Sequence, residues 1–245
     1  MSEKSDEEVS QDLIDKLGQE AGVFFRHLET HLYTVRDDWK IYVGLFGTNK
    51  ERVDLLNLVA GPVISSIQKS LYETAILSIC RLTDPKHGAK LGETNITVRR
   101  LLNYLLPIND GLLEKHVEDA VAKSKFARDY RNKRLAHADD NTINAPYLVS
   151  KGSRKDMRHA IDAIALCIKR FAHLKLNIQL VTHPISNPVG DHVKLLSTIY
   201  YGRQEVERIQ KLAYDVAVSG NWQKAKTIEE LPDWLIFRPE DEMDI

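Results

Sequence analysis

Thiols are scarce in this 245-residue chain: Cys80 and Cys167 are the two cysteines, each inside an apolar run. Neither has a second Cys or a His at metal-ligand spacing, which argues against a thiolate zinc site. Two thiols buried in apolar surroundings point to a reducing cytoplasm. Long apolar runs are missing as well. No stretch approaches the roughly 18 residues that a membrane span needs. The opening MSEKSDEEVSQDL is acidic and lacks the apolar core of a signal peptide. A cytoplasmic protein with no membrane partner is therefore expected. Net charge is nearly absent: 34 Lys and Arg stand against 35 Asp and Glu. This excludes whole-molecule attraction to nucleic acid and leaves room for a local basic patch. There is no internal repeat and no low-complexity segment.

What is present is helical periodicity. Leu13, Leu17, Val23, Phe24, Leu28, Leu32 and Val35 recur at three- and four-residue steps, so residues 7–45 read as one long helix or two in series. Gly47-Thr48-Asn49 is a turn. Residues 51–60 read as a short helix broken at Gly61-Pro62. VISSIQKSLYETAILSICRL (63–82) is apolar nearly all round and predicts a central buried helix, ended by Thr83-Asp84-Pro85. Thr97 caps a short helix through Leu105, and Pro107–Gly111 is the next break. A helix over 112–139, a loop over 140–152 and a helix over 154–176 capped by Ser153 follow. Residues 177–190 carry two Pro and one Gly, with a strand-like flavour at Ile178–Val181, and 191–219 form a last amphipathic helix. The expected fold is all-α: an up-and-down bundle over 1–185, with 186–245 a C-terminal helical extension and acidic tail packed on the same domain.

One stretch departs from the even mixing of charge. Residues 123–134, KSKFARDYRNKR, hold six bases (Lys123, Lys125, Arg128, Arg131, Lys133, Arg134) against one acid, Asp129. Such a run is either a phosphate-binding face or a solvated helix face. His137, three residues on, adds chemistry. Imidazole moves a proton near neutral pH, and an arginine fork matches phosphate oxygens and stays charged. Together they make a minimal set for RNA cleavage without metal. The His takes the ribose 2′-OH proton, and the Arg stabilises charge developing at phosphorus. No cofactor or metal is expected.

Arg131-Asn132-Lys133-Arg134-Leu135-Ala136-His137 resembles the Arg-polar-x4-His motif of HEPN domains. LYETAILSICRLTDP (71–85), followed by RNKRLAHADD (131–140), is similar to the AbiU2-like branch, linked to abortive phage infection. The resemblance covers about residues 30–175. It implies a helical bundle that dimerises, two motifs meeting across a cleft, and metal-independent endoribonuclease activity in defence. It also implies roles: His137 for proton transfer, Arg131 for the phosphate or transition state, and Asn132 to orient or bind. Some members keep only RNA or partner binding, and that alternative stays open. Some pair with an antitoxin that modifies a Tyr two positions after the motif His; here that position is Asp139. An antitoxin or inhibitor protein is a possible further partner.

Arg131 and His137 are six apart and so lie about 120° apart around an ideal helix. Either the helix distorts near Ala136, or the long Arg reaches round, or each site takes one residue from each subunit, the favoured reading. Other signals read as structural. His27 and His31 sit at i, i+4 but lack the Glu and third ligand of a zinc helix. Tyr200-Tyr201 read as core or interface aromatics, and Trp39 and Tyr42 as core or dimer seam. Asp84 reads as a helix terminator, and Asp139-Asp140 as partners for Arg134 or Lys133, as metal ligands, or as orienters of the His ring. The tail 229–245 carries seven acids against Arg238 and an apolar knot at Trp234–Phe237. It reads as a solubilising end or a cover for the basic helix.

Overall fold

The computed structural model describes residues 5–88, 92, 94–136, 152–183, 190–228, 230–232 and 235. Helices make up most of these residues, with no strand among them; Ile178–Val181, strand-like in sequence, has no β pairing. None of their helices is long and apolar enough to cross a membrane.

α1 (Asp6–Leu17) opens on a capping box. Ser5 Oγ accepts from the Glu8 amide, and the Glu8 carboxylate accepts from the Ser5 amide. Both would otherwise lack an intrahelical partner. Gly18, at φ 84°, ends α1 and begins α2 (Gln19–Tyr42), so the expected run over 7–45 is two helices in series. α2 buries Phe25, Leu28, Leu32, Val35 and Trp39 on one stripe and runs into a π-helical turn at Val43–Gly47.

α3 (Lys50–Thr83) starts on the Asn49 cap and carries a kink at Ala60 (φ −155°, ψ 56°). Pro62 causes it. Its nitrogen has no hydrogen for the Leu58 carbonyl, and its ring crowds the preceding turn. The expected break is real, but the expected burial of 63–82 is not uniform. Val63 is 59% and Ile67 41% exposed, whereas Ala75, Ile76, Ile79, Cys80 and Leu82 are sealed. Beyond the kink, full burial is confined to the last third of the helix, from Ala75 on.

After a 3₁₀ turn capped by Thr97, α4 (Leu101–Leu105) leads to α5 (Gly111–Lys123), capped by Asp110. Buried Ser124 separates α5 from α6 (Lys125–Tyr130), donating its hydroxyl to the Ala120 carbonyl at 2.7 Å. α7 (Arg154–Leu176) begins on a Ser153–Asp156 capping box, at the expected bounds. α8 (Asp191–Val218) also matches expectation; α9 (Trp222–Ile228) was not foreseen.

The main core lies among α2, the second half of α3, and α4 to α7, where Phe25 stacks on Phe171 at 5.3 Å. A smaller cluster of Leu45, Leu56 and Leu196 seats α8 on the first half of α3. Tyr200 and Tyr201, on α8, are 50% and 66% exposed, so the core reading of this pair fails. Trp39 and Tyr42 do belong to the main core.

Candidate functional site

The C-terminus of α3 is where the motif docks. Asp84 precedes Pro85, whose ring disfavours helical backbone in the residue before it, and Asp84 leaves the helix at φ −62°, ψ 163°. The last carbonyls of α3 then need donors. Thr97 Oγ1 donates to the carbonyls of Leu82 (3.1 Å) and Asp84 (2.9 Å), and Arg99 Nε to that of Thr83 (3.0 Å). Two arginines of the motif region join them. Arg128 Nη1 donates to Thr83 Oγ1 at 2.9 Å, and its Nη2 reaches the Val121 carbonyl. Arg131 Nη1 lies 2.8 and 3.0 Å from the two Asp84 oxygens, and its Nε donates to Asn132 Oδ1 at 3.2 Å. Three guanidiniums thus surround the negative end of a long helix, a favourable placement.

Directly after Tyr130 the helix widens into a π segment, Arg131–Ala136. Such bulges are rare and concentrate at functional sites. Tyr130 anchors the widening. It is nearly buried and meets the Tyr72 ring edge-on at 5.8 Å. Arg134 interacts with its hydroxyl, whose pKa is raised by burial first. The helix is therefore distorted from Arg131 up to Ala136. His137 itself, with Asp139 and Asp140, lies outside the described residues, as do the 140–151 loop and nearly all of the acidic tail.

The structure divides the basic run rather than presenting one face. Arg128 and Arg131 turn toward α3. Lys123 pairs with Asp119 at 2.6 Å. Lys125, Asn132 and Lys133 are exposed, and Arg134 is half-buried. The helix ends at Ser124 and changes pitch at Arg131, so these bases do not lie along one uninterrupted helix.

Cys80 lies beside this cluster, but burial pushes its thiol up to about 11 despite the nearby Arg131, so it stays protonated at neutral pH and is a poor nucleophile. Burial lowers the pKa of His31, helped by His27 and then Arg81. Among the described residues no cluster of three or more His, Cys, Asp or Glu is arranged to hold a metal. The site residues that sequence reasoning did not assign are Thr83, Thr97 and Arg99, together with the role of Asp84 as the Arg131 partner. The one textual signal was the Asp-Pro pair ending an apolar run.

A family model described as AbiU2, of HEPN type, matches residues 18–195. No curated protein and no solved structure matches the chain. The family match runs from the start of α2 into α8 and takes in both the end of α3 and the π segment that docks on it. The chain belongs to the AbiU2 family of HEPN domains.

Proposed function

We propose that this protein is a metal-independent endoribonuclease of HEPN type that acts in abortive-infection defence. His137 takes the proton from a ribose 2′-OH, and the freed oxygen attacks the adjacent phosphorus. The P–O5′ bond breaks, leaving a 2′,3′-cyclic phosphate, and the departing oxygen takes a proton from an imidazolium. In a homodimer that imidazolium belongs to His137 of the partner subunit. Arg131 stabilises the charge on the phosphoryl oxygens and Asn132 orients it. Lys125, Lys133 and Arg134, with Lys123 and Arg128 behind them, hold the RNA backbone.

The observation that carries this reading is the Arg131 anchorage. Its Nη1 is held by Asp84 and its Nε by Asn132, at the head of a π segment that leads directly to His137. A pre-oriented guanidinium contributes more than one that must be ordered during reaction.

A second reading has its own support. Arg128 and Arg131 already have partners at the end of α3, as helix-capping residues would. On that reading the protein is a non-catalytic dimeric module that binds RNA or a partner protein. Incubation of the purified chain with tRNA in EDTA separates the two. The nuclease reading expects cyclic-phosphate ends, and a loss of about 10²-fold or more in His137→Ala. RNA left intact by the wild type, or equal cleavage by His137→Ala, refutes it.

A further inference from the structure

Away from the motif, α2 and α7 enclose a cleft of about 430 Å³. That lies within the 300–1,000 Å³ span of ordinary small-molecule sites. Its lining is divided. Trp39, Val43 and Ile161 supply an apolar wall, Arg36, Lys40 and Arg158 supply positive charge against a single acid, Asp162, and His183 adds an imidazole. The acid is already committed, pairing with Arg36 at 3.0 Å. Arg36 is itself a built feature rather than a surface arginine. Its side chain is 9% exposed, and its Nε is sealed from solvent without a hydrogen-bond partner. Arg158 and His183 are exposed and Lys40 half-buried, and no hydrogen bond or ion pair holds these three among the described residues. The cleft therefore keeps an uncompensated positive charge beside an indole.

The indole is fixed. Trp39 is 9% exposed and stacked on Tyr42 at 4.9 Å with the planes 10° apart, so one face is covered and only the part that lines the cleft is open. A rigid aromatic beside cations without a fixed partner suits a ligand with a flat apolar part and a compact anion. An aromatic base stacks on such a wall irrespective of its identity, and Lys and Arg take the phosphate. The size of the cleft limits the ligand to about one nucleotide. We propose that the α2–α7 cleft is a binding site for a nucleoside monophosphate, separate from the Arg131 motif and independent of whether that motif cleaves RNA.

The same rings lead toward the motif. Tyr42 meets Tyr72 at 5.8 Å, and Tyr72 meets Tyr130, the residue before Arg131, at 5.8 Å. The cleft and the π segment are thus joined by one continuous aromatic row.

The test is titration of the full chain with AMP, adenosine and inorganic phosphate, followed by calorimetry and by tryptophan fluorescence. AMP is expected to bind at least tenfold more tightly than either fragment and to quench emission, with the quench lost in Trp39→Phe. Charge reversal at Arg158→Glu or Lys40→Glu should weaken AMP tenfold or more, whereas Lys133→Glu on the motif should not. A 5′-phosphorylated RNA hexamer separates the free nucleotide from a chain end. Binding of the hexamer without AMP overturns the proposal, as does phosphate binding as tightly as AMP. Silence toward AMP, GMP, CMP and UMP at millimolar concentration overturns it too. So does AMP binding that Lys133→Glu abolishes and Arg158→Glu leaves intact, since that places the ligand at the motif.

Discussion

At the scale of single residues, the Asp84–Arg131 pair organises the motif. The side chains are 19% and 27% exposed, so the pair is neither fully solvated nor fully buried. Removing either partner leaves the other partly desolvated, which costs more than the pair contributes net. Asp84→Ala and Arg131→Ala are each expected to lower stability by about 1–2 kcal/mol in urea unfolding. The double variant should lose less than the sum, with a coupling of about 1 kcal/mol. Strict additivity would show that the contact carries no energy. Thr83 shares in the arrangement by donating to the Ile79 carbonyl at 2.8 Å while accepting from Arg128. Forty-seven positions separate Asp84 from Arg131, and no spacing rule relates an acid at one helix end to an arginine on another helix. That pairing was not legible in the sequence.

At the scale of elements, breaks matter as much as helices. Gly18, Pro62 and the Asp84-Pro85 pair end or bend helices through backbone geometry, and the sequence announced the two proline breaks. Ser124 and the π segment are different. Ser124 is buried and hydrogen-bonds within its own turn, and the widening at Arg131 follows from packing Tyr130 on Tyr72 while Arg131 reaches Asp84. A single helix over 112–139 is what periodicity alone predicts; tertiary contacts divide it. Close helix approach is likewise hidden. A Cβ at Gly22 would meet the Ile14 Cα and nitrogen at 2.7 Å, and backbone cannot yield as a side chain can. Gly22→Ala is therefore expected to destabilise the chain by about 1–3 kcal/mol despite the better helix propensity of Ala. A chemical-denaturation midpoint equal to or above wild type would contradict this packing of α1 on α2.

For the whole molecule, the ionisable groups set the pH dependence. Asp110 is held below the usual carboxylate range, first by its hydrogen bond to Arg170 and also by capping α5, and Asp156 by its Ser153 box. An acid with a depressed folded pKa stabilises above its ordinary value, and that contribution is lost as pH falls through the folded value. His31 and His192 are lowered first by burial. Below their ordinary pKa of 6.5 the unfolded chain takes up protons that the fold resists, so stability falls as pH drops from that point. Asp38 opposes the trend, since burial and Asp37 raise it and the fold favours its proton. The thermal midpoint is thus expected to decline from pH 7 to 5 and again below about 4. His31→Gln should flatten the first decline, and a slope unchanged by that substitution would remove His31 from the account.

Periodicity, caps and proline positions by themselves determined that this chain is all-α, where several helices begin and end, and that one basic segment carries an Arg-Asn-x4-His motif. Those features are local: each depends on residues within a turn or two. Only the tertiary structure decided that α3 is buried in its second half alone, that Arg131 is held by Asp84, that the basic run is divided, and that Trp39 and Arg158 share a cleft. Each of these depends on which distant helix happens to lie alongside, because burial and ion pairing are set by three-dimensional neighbours rather than by spacing along the chain.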